Sequence, residues 1–246
     1  MKSGKGLDSR FQAIEEPILD QVKSFGMTTR VVWGRSPTLQ GFSPDDITKS
    51  IRSLTARGIL EAHPLHHGRF YFALTKKAVQ KFGSEEWSGG SFNERDKFRV
   101  FAKLIVGTLH LSAATPFSKS KSKLRSTMGD GTLGLPNHFM VQRDAKKIYY
   151  LRIDSAIRAF PARVAQQLRN DIFRLVKIGS IKHLIQSKQF ELVLVTCTEG
   201  RSKAILQHFR SYDRVGGTPI QAVVVPELIP LVTTVPIGGA ILLNNL

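Results

Sequence analysis

The chain has 246 residues, 36 Lys plus Arg against 19 Asp plus Glu, and a formal net charge of +17. A charge of that size attracts a polyanion by counterion release, so DNA, RNA or an anionic membrane is indicated and a small neutral substrate is disfavoured as the main partner. An apolar fraction of 41% excludes a disordered chain, and the lone Cys197 excludes a disulfide framework or a thiolate metal cluster, which favours a reducing cytoplasm.

No apolar segment follows the first five residues, so no signal peptide is read. Residues 11–25 form an amphipathic helix with Ile14, Ile18, Leu19 and Val22 on one side, and residues 27–33 can supply a second helix. A third begins at Ser43: its hydroxyl can cap, Pro44 suits the first helical position, and Asp46 completes a start like a capping box. Ile47, Ile51 and Leu54 recur at helical spacing, while Lys49, Arg52 and Ser53 lie opposite. Such a helix can dock in a core and present its far side to the DNA major groove.

The helix ends near Gly58, a strand runs to His63, residues 66–68 (His-His-Gly) turn, and residues 69–74 return as a second strand. Thr75 can then cap a short helix. The order helix, strand, wing, strand predicts a winged helix; the plainer alternative is any small α+β domain with a hairpin. Its DNA-facing residues would be Thr48, Lys49, Arg52, Ser53, Arg57, His66, His67 and Arg69.

Residues 84–93, with a Gly pair and polar neighbours, read as a linker. Residues 94–111 predict a long helix with Phe98, Phe101, Ile105 and Leu109 on one face, and residues 115–134 a loop. Lys119, Lys121, Lys123 and Arg125 make that loop either a phosphate-gripping arm or a solvated surface segment. Strands over 137–141 and 147–153 flank an Arg143-Asp144-Ala145 turn, followed by helices over 162–176 and about Lys182. Phe190 to Thr196 is a continuous apolar run, as in a strand buried on both faces. A helix over 200–209 and a strand at 222–225 complete the order β-β-α-β-α-β, a mixed sheet flanked by helices. The apolar stretch 222–236 is broken by Pro226, Pro230 and Pro236 and is too short to span a bilayer. Both parts are basic, with 13 basic against 7 acidic residues up to residue 83 and 23 against 12 beyond it.

His63, His66 and His67 lack a Cys or acidic partner at ligand spacing, so contact with phosphate or solvent is preferred over a zinc site. Gly200-Arg201-Ser202-Lys203 comes after a strand, where a phosphate loop would lie. It lacks the glycine spacing of one and is read as a helix start.

Leu54 to Leu60 with Phe72 to Thr75, then Leu135-Pro136-Asn137, Tyr149 to Asp154, and Val193 to Thr196 before the helix at Arg201 together resemble the replication-relaxation family of plasmid and mobile-element proteins. The resemblance covers most of residues 9–212. It implies a restriction-endonuclease-like second domain of the PD-(D/E)xK superfamily. In such a nuclease one strand supplies an Asp after Pro and the next an acidic residue and a Lys, so that carboxylates hold a divalent metal. Here Asn137 follows Pro136, Arg152 stands where the second carboxylate is sought, and Asp154 alone remains. Asp154 is read as the cap of the turn or helix after β-strand 147–153.

The expected fold class is therefore α/β: an N-terminal α+β winged helix over 1–83, a linker over 84–93, and a restriction-endonuclease-like domain over 94–246. The expected function is double-stranded DNA binding for a mobile element or its host, with no metal or cofactor, in the cytoplasm and without a membrane partner. The nuclease-like domain would contact DNA backbone, self-associate or meet a protein partner in a nucleoprotein complex. The alternatives are a metal-dependent DNA nuclease or nicking accessory that uses Asp154, and a structural component of a replication or transposition complex.

Overall fold

The computed structural model describes residues 4–82, 89–111, 114–116, 139–142, 146–154, 159–210 and 219–233. Within them the chain is mixed α/β, with a three-stranded and a five-stranded sheet. Helix α1 (Gly4–Phe25) buries Ile14, Ile18 and Val22 at four-residue spacing. Where the sequence suggests one helix over 27–33, the structure places strand β1 (Thr28–Thr29) and a single turn, α2 (Arg30–Trp33). The reason is polar. Thr28 Oγ1 accepts from Trp33 Nε1 at 2.9 Å and donates to Gln21, and Thr29 Oγ1 accepts the Val31 N–H at 3.2 Å. Extended threonines thus satisfy buried groups that would otherwise cost their desolvation energy.

Helix α3 (Pro44–Ala56) starts as the sequence predicts: Ser43 Oγ accepts the Asp46 N–H at 3.1 Å. It stops in a Schellman motif at Gly58, whose φ is +67°, with Ile59 N–H donating to the Leu54 carbonyl and Gly58 N–H to that of Thr55, both at 2.9 Å. Strands β2 (Leu60–His66) and β3 (Arg69–Leu74) pair antiparallel. The two residues between them, His67 and Gly68, both have positive φ, +41° and +73°, the requirement of a type I′ hairpin. The sheet order is β1-β3-β2. Helix α4 (Lys76–Phe82) comes next, its Ala78 N–H capped by Thr75 Oγ1 at 3.1 Å.

Tyr71 of β3 is fully buried, and its hydroxyl accepts the Phe92 N–H at 2.9 Å, which ties the connecting segment to the first sheet. Helix α5 (Glu94–Ile105) is capped by Asn93 and continues into a π-helical turn, Val106–His110. The sequence reads these as one regular helix, because the apolar spacing runs through the junction. The wider turn brings Gly107 against the Ala114 carbonyl, Met140 and the Phe25 ring, a position with no room for a Cβ.

The second sheet contains β4 (Thr115–Pro116), β5 (Phe139–Gln142), β6 (Lys147–Ile153), β7 (Phe190–Thr196) and β8 (Ile220–Val224), adjacent in that order. Pairing is antiparallel from β4 to β6 and parallel from β6 to β8. The parallel links need crossovers: α6 (Pro161–Val176) and α7 (Gly179–Gln186) lie between β6 and β7, and α8 (Glu199–Arg210) between β7 and β8. Thr115 and Pro116 form a strand where the sequence suggests only loop. A 3₁₀ turn, Pro226–Leu228, and a short helix, α9 (Ile229–Thr233), occupy part of the tail, with Pro226 tolerated in the first turn.

The core explains how the sheets relate. Alternation along β6 sends Tyr149 and Leu151 to one face and Ile148 and Tyr150 to the other. Tyr149 and Leu151 join Phe98, Phe101 and Ile105 of α5, and the same apolar cluster runs on through Phe25, Met27, Ile47 and Leu54. Ile148 and Tyr150 instead pack with Leu168, Ile172 and Leu175 of α6. Arg35 Nη1 also pairs with Glu227 Oε1 at 2.7 Å, linking the chain after α2 to the 3₁₀ turn.

Candidate nucleic-acid interface

Helix α3 presents Lys49 and Arg52 to solvent from the side opposite Ile47, Ile51 and Leu54. Its N-terminal turn carries Asp45 and Asp46, which suit the helix dipole but would repel phosphate. The cationic surface therefore belongs to the middle of the helix.

Other residues expected on this surface are already engaged. Thr48 Oγ1 donates to the Pro44 carbonyl at 2.8 Å. Ser53 is half-buried and donates to Glu15 Oε1 at 3.2 Å, and Arg57 pairs with Glu15 Oε2. Glu15 of α1 thus draws both back toward the protein. At the hairpin, His67 and Arg69 are exposed, and Phe70 stands 51% exposed beside them. His66 departs from expectation. Both its ring nitrogens are buried without a hydrogen-bond partner, and its pKa is lowered by burial, then by Arg69, His67 and Lys97. It is held neutral and offers no charge to phosphate. His63 packs on Tyr71 with ring centroids 5.2 Å apart, its Nε2 3.3 Å from Glu61 Oε1 but not aligned for a hydrogen bond. Lys119, Lys121, Lys123 and Arg125 lie outside the described residues.

In the five-stranded sheet the acidic residues that a nuclease would need are either paired or absent from the described residues. Asp154, at the end of β6, is paired: its 4%-exposed side chain accepts from Arg201 Nε at 2.7 Å and Nη2 at 3.4 Å, while the turn it is expected to cap lies outside the described residues. Two residues earlier, Arg152 turns to α6, where it pairs with Asp171 Oδ2 at 3.0 Å and bonds Gln167. Asn137 lies outside the described residues, and among these no three His, Cys, Asp or Glu converge in a way that could hold a metal. Half-buried Arg99 of α5 adds further positive charge here; burial, then Arg95, lowers its pKa, and Arg152 acts in the same direction. Cys197, next to this group, has its thiol pushed up to about 11 by burial and by the Asp154 charge. A neutral thiol of that kind is no nucleophile near pH 7.

Residues 200–203 form the first turn of α8, as the sequence suggests. Thr198 Oγ1 accepts the Arg201 N–H at 3.2 Å, Arg201 serves Asp154, and Lys203 lies 3.6 Å from Glu199. The segment therefore opens a helix rather than a phosphate loop, with its arginine turned to Asp154.

A second basic surface, on α6, is not among the sites expected from the sequence. Arg163, Arg174 and Lys177 are exposed there, and the signal was present: residues 161–189 hold six Lys or Arg, Arg163 and Arg169 among them, against one acidic residue. Among the described residues no helix is long and apolar enough to cross a membrane. No family model, curated protein or solved structure matches the chain.

Proposed function

We propose that the chain is a double-stranded-DNA-binding protein of a mobile element or its host, with α3 as the major-groove helix of a winged helix and β2–β3 as its wing. One observation carries the reading. The order α1-β1-α2-α3-β2-β3, with β1 hydrogen-bonded to β3, leaves Lys49 and Arg52 as the exposed cations of a helix whose other side is fully committed to the core. His67 and Arg69 at the hairpin turn supply the wing's charge.

The second sheet, antiparallel and then parallel, supports the restriction-endonuclease-like reading of residues 94–246 and, with it, the resemblance to the replication-relaxation family. It acts as a binding platform without cleavage. Arg201 already neutralises Asp154, and Arg152 is committed to Asp171. Water activation on a divalent ion needs carboxylates free to hold it.

The test is a gel-shift titration of the double variant Lys49→Ala/Arg52→Ala on mixed-sequence duplex. Affinity should fall about tenfold or more while circular dichroism stays native, since both side chains are exposed and bear on phosphate or base edges. Unchanged affinity with a native spectrum would remove α3 from the interface.

A further inference from the structure

Helix α6 divides cleanly by burial. Val164, Ala165, Leu168, Ile172 and Leu175 are buried, whereas Arg163, Gln166, Asn170, Phe173, Arg174 and Lys177 lie on the solvent side. At about 100° per residue these six fall on one stripe, about 21 Å long at ~1.5 Å per residue. No carboxylate lies on it. Asp171 is on the flank, committed to Arg152. Gln166 Nε2 donates to Asn170 Oδ1 at 3.0 Å, which orders the amide pair, and Phe173 is 42% exposed beneath the Arg169 guanidinium, 5.4 Å from its ring centroid.

Positive charge continues past the helix through exposed Lys182 and Lys188. Among the described residues Arg163, Arg174, Lys177, Lys182 and Lys188 have no carboxylate partner. The unneutralised stripe cations Arg163, Arg174 and Lys177 repel each other, a cost that a polyanion would remove.

The side-chain types narrow the partner further. Arg, Asn and Gln are the residues that read guanine and adenine edges, and an aromatic side chain can meet the thymine methyl. The stripe runs along the outer side of a helix, and a helix about 10 Å across fits a major groove about 12 Å wide. A single strand would instead need a groove to lie in.

We infer that the α6 stripe is a second duplex-DNA surface and that one chain bridges two DNA segments. The bridging rests on the reading of α3 proposed above. Its geometric basis is that α6 covers the face of the five-stranded sheet opposite to α5, and α3 shares its core with α5. Sheet and helix layers on the order of 20 Å thick therefore separate the two basic surfaces, too far for one straight duplex to lie on both.

The experiment uses the full chain, a biotinylated duplex of about 30 base pairs, three helical turns, held on beads, and a second fluorescent duplex of the same length free in solution. The wild type should carry the fluorescent duplex onto the beads and reach two duplexes per chain in sedimentation with DNA in excess. Replacing Arg163, Arg174 and Lys177 together by Gln should cut capture about tenfold or more. Binding to a single duplex through Lys49 and Arg52 should stay within about twofold. Capture that survives the triple variant would overturn the inference, because bridging would then come from self-association. One duplex per chain, with the triple variant weakening single-duplex binding, would overturn it as well, since both surfaces would share one DNA. A wild type that binds single duplexes but captures none leaves α3 standing and removes bridging; a wild type that binds no duplex removes both.

Discussion

Replacing Arg201 by Met tests how the end of β6 is held to α8. The substitution keeps most of the side chain's length and removes its charge, leaving the Asp154 carboxylate, 4% exposed, without the guanidinium 2.7 Å away. Taking one partner from a buried ion pair costs about 3–5 kcal/mol, because the remaining charge stays desolvated and loses its opposite charge. Arg201 is itself 15% exposed, so water reaches part of the site and the lower end of that range applies. A loss of about 3 kcal/mol should lower Tm by about 6–12 °C in a chain of this size. Urea unfolding followed by far-ultraviolet circular dichroism would measure it, with the slope against denaturant unchanged if only the folded state is affected. Adding Asp154→Asn to Arg201→Met should recover much of the loss, because an amide costs less to bury than a charge. A cost under about 1 kcal/mol would put the pair in the range of exposed salt bridges. Asp154 would then be open to solvent and available to a metal ion, which would restore cleavage as a competing function.

If the net charge of +17 is used on DNA, log affinity should fall with log salt at about −0.9 per phosphate neutralised; a flat plot would refute that use. Replacing Lys119, Lys121 and Lys123 by Gln should flatten the slope if that segment grips phosphate, whereas an unchanged slope marks it as a solvated loop. Supercoiled plasmid incubated with the protein and Mg²⁺ or Mn²⁺ should remain supercoiled, and nicking that vanishes in Asp154→Ala would promote the nuclease reading. Gly107→Ala should cost about 3 kcal/mol or more, because the new methyl meets the Ala114 carbonyl and Met140 and lies 2.9 Å from the Phe25 ring; near-neutral stability in a thermal melt would refute the packing at the π-helical turn. Burial alone would raise the Glu227 pKa, but the Arg35 hydrogen bond outweighs it and leaves the group below its ordinary 4.5. That pair therefore stabilises the fold above about pH 4.5 and loses its contribution as pH falls through the depressed value. Arg35→Gln should make acid unfolding less steep in that window, and an unchanged profile would exclude the linkage.

The sequence disclosed what local chemistry decides. Ser43 and Pro44 mark the start of α3, Gly58 its end, and the apolar run from Phe190 gives β7 its full length, because caps, turns and burial on both faces leave signatures in neighbouring residues. Partners distant in the chain leave none. Nothing near Ser53 or Arg57 announces Glu15, 38 and 42 residues away, and nothing near Asp154 announces Arg201, 47 residues on. His66 is misplaced for a related reason: strand alternation gives the side on which a residue leaves the backbone, not whether its ring folds back out of water. The π-helical turn is hidden because Val106, Gly107 and Thr108 are all buried, so the apolar pattern passes over the change of pitch. The α6 stripe is legible from charge alone, but its cations are spread over several turns and stand out less than the close run Lys119, Lys121, Lys123 and Arg125.

The apolar cluster that runs from Phe25 and Leu54 through Phe101 to Leu151 and Val195 has a mechanical consequence. Two units joined only by a tether can each adopt their own angle to a bound object. Here a shared interior and the Arg35–Glu227 pair replace the tether, so whatever α3 grips fixes the heading of the five-stranded sheet as well. Rotation of one unit against the other would have to open that interior to water, and torque applied at the hairpin would be felt at β7.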